Sequence, residues 1–293
     1  MIDHFADRLS AAIRQKKNAL CVGLDPRWES LPRSIREQHA DGTLEGVARG
    51  YEDFCGRVLQ VVAPLVPVVK LQSAFFEVCG PPGFSAQRTV LARAREMELM
   101  AILDAKRGDI ASTASAYAEA SFSVWDADAV TVNPYLGRDA VEPFIQRARQ
   151  AQRGLFVLVR TSNPGSGLFQ NLVCDGQPVY RHVAAAVRDW NAENLGQCGL
   201  GDVGAVVGAT HPDELRYLRE MIPNVWFLVP GYGSQGGKAA DVAAAFRPDG
   251  LGAIVNSSRG ILSEFHPDDR NWEQTVVNAT RDAIAALRAV QWR

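Results

Sequence analysis

Short, almost uninterrupted apolar segments recur along the chain, each closing on polar or Gly/Pro-containing residues and each followed by helix-compatible sequence. Eight can be counted: Ala19 to Asp25, Pro67 to Ser73, Met100 to Lys106, Ala129 to Asn133, Leu155 to Thr161, Val203 to Gly208, Val225 to Pro230 and Gly252 to Asn256. Such near-continuous apolar runs mark strands covered on both faces, as in a parallel sheet flanked by helices. The stretches between them, Ala86 to Leu99, Ala140 to Ala151, Arg181 to Leu195, Pro212 to Met221 and Ala239 to Phe246, are rich in Ala, Arg and Glu and read as helices. Strand and helix in alternation predict an α/β fold, and eight units predict closure into a single-domain (β/α)8 TIM barrel spanning residues 1–293. The alternative is a doubly wound open sheet. Against it, the first strand runs into Gly23-Leu24-Asp25-Pro26-Arg27 rather than a dinucleotide-binding GxGxxG turn. Two connections are long: residues 27–64, expected as an insertion, and Asn163 to Tyr180, rich in Gly, Asn and Pro.

Composition narrows the function classes. Apolar residues make up 47% of the chain, enough for one closed core, yet no segment approaches the roughly 20 apolar residues of a membrane span. The net charge of -2 and the absence of a Lys/Arg block argue against nucleic acid as a partner. Met1-Ile2-Asp3-His4-Phe5 lacks the basic start and apolar stretch of a signal peptide, so a cytoplasmic location is expected. The five cysteines are scattered, without a CxxC pair or a His at ligand spacing, and are expected as reduced, mostly buried thiols.

A barrel carries its chemistry at the C-terminal ends of its strands. Those positions here hold Asp25, Lys70, Gln72, Asp104, Lys106, Asn133, Thr161 and Ser162, with Gln235 and Arg259 in the last two loops. In Asp104-Ala105-Lys106-Arg107-Gly108-Asp109-Ile110 the two-residue period of a strand sends Asp104 and Lys106 to the inward face and Arg107 away from it. An ammonium in a barrel mouth has to be paired. Asp104 and Asp109 with Lys70 and Lys106 are expected to form an alternating network that keeps all four ionised and preorganised for charge chemistry. The plainer alternatives are salt bridges that close strand ends and, for Lys70, a stem that snorkels from the rim. After the seventh and eighth strands come Pro230-Gly231-Tyr232-Gly233-Ser234-Gln235-Gly236-Gly237 and Asn256-Ser257-Ser258-Arg259-Gly260-Ile261, where barrels commonly cradle a phosphate. A small phosphate ester is the expected substrate.

Taken together, these residues resemble the orotidine 5'-phosphate decarboxylase family in its longer bacterial form, over nearly the whole chain. The resemblance rests on Asp104, Lys106 and Asp109 with Lys70, on Gly23-Leu24-Asp25, on Arg160-Thr161-Ser162-Asn163-Pro164-Gly165, and on the two Gly- and Ser-rich loops just quoted. It implies a homodimer with shared sites, in which Asp109, Ile110 and Thr113 reach into the partner's pocket. It also implies that Asp25 and Lys70 hold the ribose hydroxyls and that Ser162 and Gln235 read the pyrimidine. Arg259 with the backbone of Gly233 to Gly236 would grip the phosphate, and Lys106 would donate the proton. The family's short form has a glycine where Ser258 stands, and its loops after strand five and over the site differ in length.

The implied reaction replaces the C6 carboxylate of orotidine 5'-monophosphate with a proton, although no adjacent carbonyl delocalises the C6 carbanion. With no metal-ligand cluster or cofactor motif in the sequence, neither a metal nor a cofactor is expected, and stabilisation falls to the Lys106 ammonium oriented by Asp104 and Asp109. Binding energy at the remote phosphate is expected to close loops and exclude water. Two rivals stand beside this reading: a Mg²⁺-dependent sugar-phosphate decarboxylase or aldolase-like barrel, separable by EDTA, and a phosphate-ester binding protein without turnover.

Overall fold

The apolar runs fold into eight parallel strands: β1 (Leu20–Leu24), β2 (Val68–Gln72), β3 (Met100–Arg107), β4 (Ala129–Val132), β5 (Gly154–Arg160), β6 (Val203–Val207), β7 (Phe227–Val229) and β8 (Ala253–Ser257). The structure is a computed structural model that describes residues 4–233 and 238–292. Each strand pairs with its neighbour in sequence, and β8 returns to β1 through Leu20↔Val255 and Cys21↔Asn256, so the sheet closes and the open-sheet alternative is excluded. Closure leaves the barrel sheet without a free edge strand. β7 is shorter than its apolar run, because Val225 and Trp226 are buried in the core ahead of the ladder.

The 27–64 stretch is mostly helical. A short helix, Arg33–His39, leads to the 19-residue helix Leu44–Val62, which Thr43 caps by accepting from the Gly46 N–H at 3.0 Å. That long helix packs on Pro81–Glu96 and on the C-terminal helix Trp272–Gln291, so it belongs to the outer layer of the barrel. Asn163 to Tyr180 contains a turn of 3₁₀ helix, the short helix Gly167–Gln170 and a two-stranded ribbon pairing Val173–Cys174 with Gln177–Pro178.

An N-terminal helix, Phe5–Lys16, covers the N-terminal ends of β4 and β5. Phe5 meets Phe156 edge-on at 6.3 Å, and Arg8 pairs with Asp128 at 2.8 Å. At the same end Gln291 of the last helix accepts from the Ala19 N–H and donates to the Gly250 carbonyl. At the opposite end, where the strands finish, Asp25, Lys70, Asp104 and Lys106 line a cavity. No described helix is long and apolar enough to cross a membrane. All five cysteines are free; Cys21, Cys55 and Cys79 are buried, as expected, whereas Cys174 is exposed and Cys198 half-buried.

Candidate active site

Strands β1 to β4 assemble the charged wall of a cavity of about 430 Å³. Asp104, near the end of β3, uses both carboxylate oxygens. Its Oδ1 accepts from Lys106 Nζ at 2.6 Å and Thr131 Oγ1 at 2.8 Å, and its Oδ2 from Lys70 Nζ at 3.0 Å and Gln72 Nε2 at 3.1 Å. Lys70 also reaches Asp25 Oδ1 at 3.4 Å. Two carboxylates therefore balance two ammoniums. Burial opposes a charge on Lys70, but the carboxylates of Asp104 and Asp25 outweigh it and hold its pKa above the ordinary lysine value. Burial opposes the charge on Asp104 too, and there Lys70 and Lys106 win, keeping the carboxyl well below the usual range. The side chain of Lys106 is 46% exposed against 5% for Lys70, so Lys106 is the more open of the two ammoniums that line the cavity. Burial pushes the neighbouring Cys21 thiol up to about 12, which leaves it neutral and a poor nucleophile.

Arg107 points away as its strand position requires, pairing with Glu77 at 2.6 Å and lying over the Tyr117 ring. Asp109 departs from expectation within this chain. The backbone turns outward after β3, and Asp109 Oδ1 accepts from the Ile110 N–H at 2.8 Å instead of joining the Lys70–Asp104–Lys106 array. Neither Asp109 nor Ile110 nor Thr113 lines the cavity; Ile110 is 55% exposed and Thr113 is exposed on the helix Ala111–Glu119. Exposed Tyr135 and Leu136 lie beyond β4.

The opposite wall is apolar below and polar at the rim. Leu158, Val206 and Leu228 form its floor, while Thr161, Ser162 and Asn163 stand at the end of β5. Thr161 is held from behind. Arg160 forks onto Glu214 at 2.5 and 3.2 Å, and Gln170 accepts from Arg160 and from the Thr161 N–H while donating to Thr161 Oγ1 at 2.8 Å. Three strands round the wall from Lys106, the exposed guanidinium of Arg259 lines the same cavity and has no side-chain partner among the described residues. Gly233, with φ of +77°, lies beside Arg259 in an adjoining shallow hollow; Gln235 and Gly236 lie outside the described residues.

Gly23 has a reason at this point that its motif alone did not give. A Cβ there would collide with Ser258 Oγ and approach Asn256 Oδ1 at 3.1 Å, so glycine is what lets β8 bring these side chains against β1. Ser258 Oγ and Asn256 Oδ1 are both buried without a hydrogen-bond partner among the described residues, and both residues line the cavity, where a bound ligand would satisfy them. Sequence reasoning passed over Asn256 and Thr131 as site residues. The signal was available for Thr131: a lone hydroxyl inside the apolar run Ala129 to Asn133 must bond to something. It passed over the apolar floor as well, because floor residues look like any other barrel core.

Fold and cavity together define the class, a β/α-barrel enzyme that works on a small anionic substrate with fixed side-chain charges. Residues 18–270 match the sequence profile of the orotidine 5'-phosphate decarboxylase / HUMPS family; the chain belongs to that family and is an enzyme of the decarboxylase, or lyase, class. It is 46% identical to the orotidine 5'-phosphate decarboxylase of Rhodopirellula baltica, over 94% of this chain and 96% of that one. It is 42% identical to that of Roseiflexus castenholzii, over 98% and 100%. Among solved structures, OMP decarboxylase from Leishmania donovani superposes with a TM-score of 0.79 at 33% identity, covering 99% of each chain.

Proposed function

We propose that the chain decarboxylates orotidine 5'-monophosphate to uridine 5'-monophosphate in pyrimidine biosynthesis, as a member of the family's longer bacterial form and with no metal or other cofactor. The observation that carries the reading is the Lys70–Asp104–Lys106 array, with Lys106 presented to a cavity that also holds Arg259. The C6–carboxylate bond breaks, carbon dioxide leaves, and the electron pair stays on C6. The fixed Lys106 ammonium stabilises that pair and then hands C6 a proton, to be replenished from water. Asp104 is not the base: its two oxygens already take four donors, and it acts by holding the two ammoniums in place.

The apolar floor suits the flat pyrimidine, Ser162 its polar edge, and Asp25 with Lys70 the ribose hydroxyls. Arg259 suits the phosphate, together with Gly233 and Ser258, and the proposal extends to Gln235 and Gly236, which lie outside the described residues. The same full occupancy of Asp104 counts against the Mg²⁺-dependent rival, since a cation there would have to displace a lysine. Among the described residues no three His, Cys, Asp or Glu side chains are gathered to hold a metal.

In this reading two copies form a homodimer. Half-buried Asp109 and exposed Ile110 and Thr113 follow β3 directly without lining their own chain's cavity, which is the disposition expected of residues that complete a partner's site. The decisive variant is Lys106→Ala. It should lose at least about 10⁴-fold in turnover, as removal of a group on which the chemical step depends does, while binding uridine 5'-monophosphate within about tenfold of the parent. Turnover within tenfold of the parent would remove Lys106 from the mechanism.

A further inference from the structure

Thr131 is a polar residue inside an otherwise apolar strand, and only 1% of it is exposed. A hydroxyl buried there is costly unless its hydrogen-bonding capacity is used. Thr131 Oγ1 donates to Asp104 Oδ1 at 2.8 Å and accepts from the backbone N–H of Lys106 at 2.9 Å. The residues it joins are the carboxylate and the ammonium that pair with each other at 2.6 Å.

The backbone shows why a side chain is needed at this point. β3 and β4 are in register at Leu103↔Val130 and again at Arg107↔Val132, so four steps of β3 lie against two of β4. Inside that bulge Lys106 has φ of +47°, a left-handed conformation that a lysine keeps only when its surroundings impose it. The Thr131 hydroxyl binds the Lys106 N–H within the bulge. We propose that Thr131 is a positioning residue for decarboxylation: its hydroxyl fixes the left-handed Lys106 backbone and the Asp104 carboxylate together, so that the Lys106 ammonium is aimed at the reacting carbon. The effect on rate rests on the decarboxylase reading; the effect on backbone geometry does not.

Three variants separate the hydroxyl from the bulk of the side chain. Thr131→Val keeps the shape and removes the hydroxyl, whereas Thr131→Ser and Thr131→Ala both lack the γ-methyl and differ only in the hydroxyl. Thr131→Val and Thr131→Ala should lose about 10²-fold in kcat, the size of effect a misplacement of about 1 Å produces. Their affinity for uridine 5'-monophosphate should stay within about threefold of the parent, and Thr131→Ser should recover most of the rate lost by Thr131→Ala. Amide exchange at Lys106 should be faster in the Ala variant than in the Ser variant. Equal kcat for the Ser and Ala variants overturns the positioning role, and this pair decides even if Thr131→Val fails to fold. If the parent itself leaves orotidine 5'-monophosphate intact, the decarboxylase reading fails, and Lys106 amide exchange still tests the geometric claim: equal exchange in the Ser and Ala variants overturns it.

Discussion

Lys70 lies inside the barrel wall as an ammonium because Asp104 and Asp25 together outweigh the cost of burying it. Asp104 depends on the lysines in the same way, so replacing it leaves buried positive charge uncompensated. Asp104→Asn should therefore destabilise the fold by about 3 kcal/mol near neutral pH. The pH dependence follows from the directions of the shifts. Asp104 has a depressed pKa in the fold, so its contribution is present above the unfolded value of about 3.9 and is lost as the pH falls from there towards its folded value. Lys70 has a raised pKa, so its contribution is present below about 10.4 and is lost as the pH rises through its folded value. Urea midpoints should show a gap between parent and variant that is flat from about pH 5 to about pH 9 and narrows in acid. A gap that widened in acid would contradict the array. At this scale the sequence was legible where a charge interrupts an apolar strand, as at Lys70, Asp104 and Lys106. It was not legible for Asp109, because spacing in the chain cannot tell whether a side chain turns into its own site or away from it.

The loop after β5 shows how an element can be built for a site without touching a substrate. Arg160 is buried, forks onto Glu214 and lies over the Tyr180 ring, and Gln170 ties it to Thr161. Thr161 Oγ1 in turn donates to Asn163 Oδ1 at 2.6 Å. Removing the Gln170 amide should loosen the Thr161 to Asn163 rim and leave the barrel intact. Gln170→Ala should raise KM for orotidine 5'-monophosphate about fivefold, the equivalent of roughly 1 kcal/mol of lost hydrogen bonding, with a melting temperature close to the parent's. An unchanged KM would show that the rim does not depend on this brace. The strands themselves were readable because their apolar runs are buried, whereas the helix Leu44–Val62 was hidden in a stretch, residues 27–64, whose Gly-, Asp- and Glu-containing middle suggested an insertion. The helices Phe5–Lys16 and Trp272–Gln291 escaped notice for a related reason: they flank the strand and helix alternation instead of falling within it.

For the molecule as a whole, the barrel explains why chemistry sits at one end: the Phe5 helix and Gln291 cover the other, and the C-terminal ends of the eight strands converge on one cavity. If that cavity is completed by a second copy, Asp109 and Lys106 act in one site from two different chains. Lys106→Ala and Asp109→Ala homodimers should each be nearly inactive, and mixing them under conditions of subunit exchange should restore activity, because a hybrid carries one site with both residues intact. Failure of the mixture to recover, with hybrids shown to form, would place Asp109 in its own chain's site or outside the mechanism. The central claim, that fixed charge alone drives the decarboxylation, is tested most directly by following the ultraviolet absorbance of orotidine 5'-monophosphate mixed with the purified protein in EDTA. The account predicts rapid conversion to uridine 5'-monophosphate at a rate the chelator does not change; an intact substrate, or a rate restored only by added Mg²⁺, would contradict it.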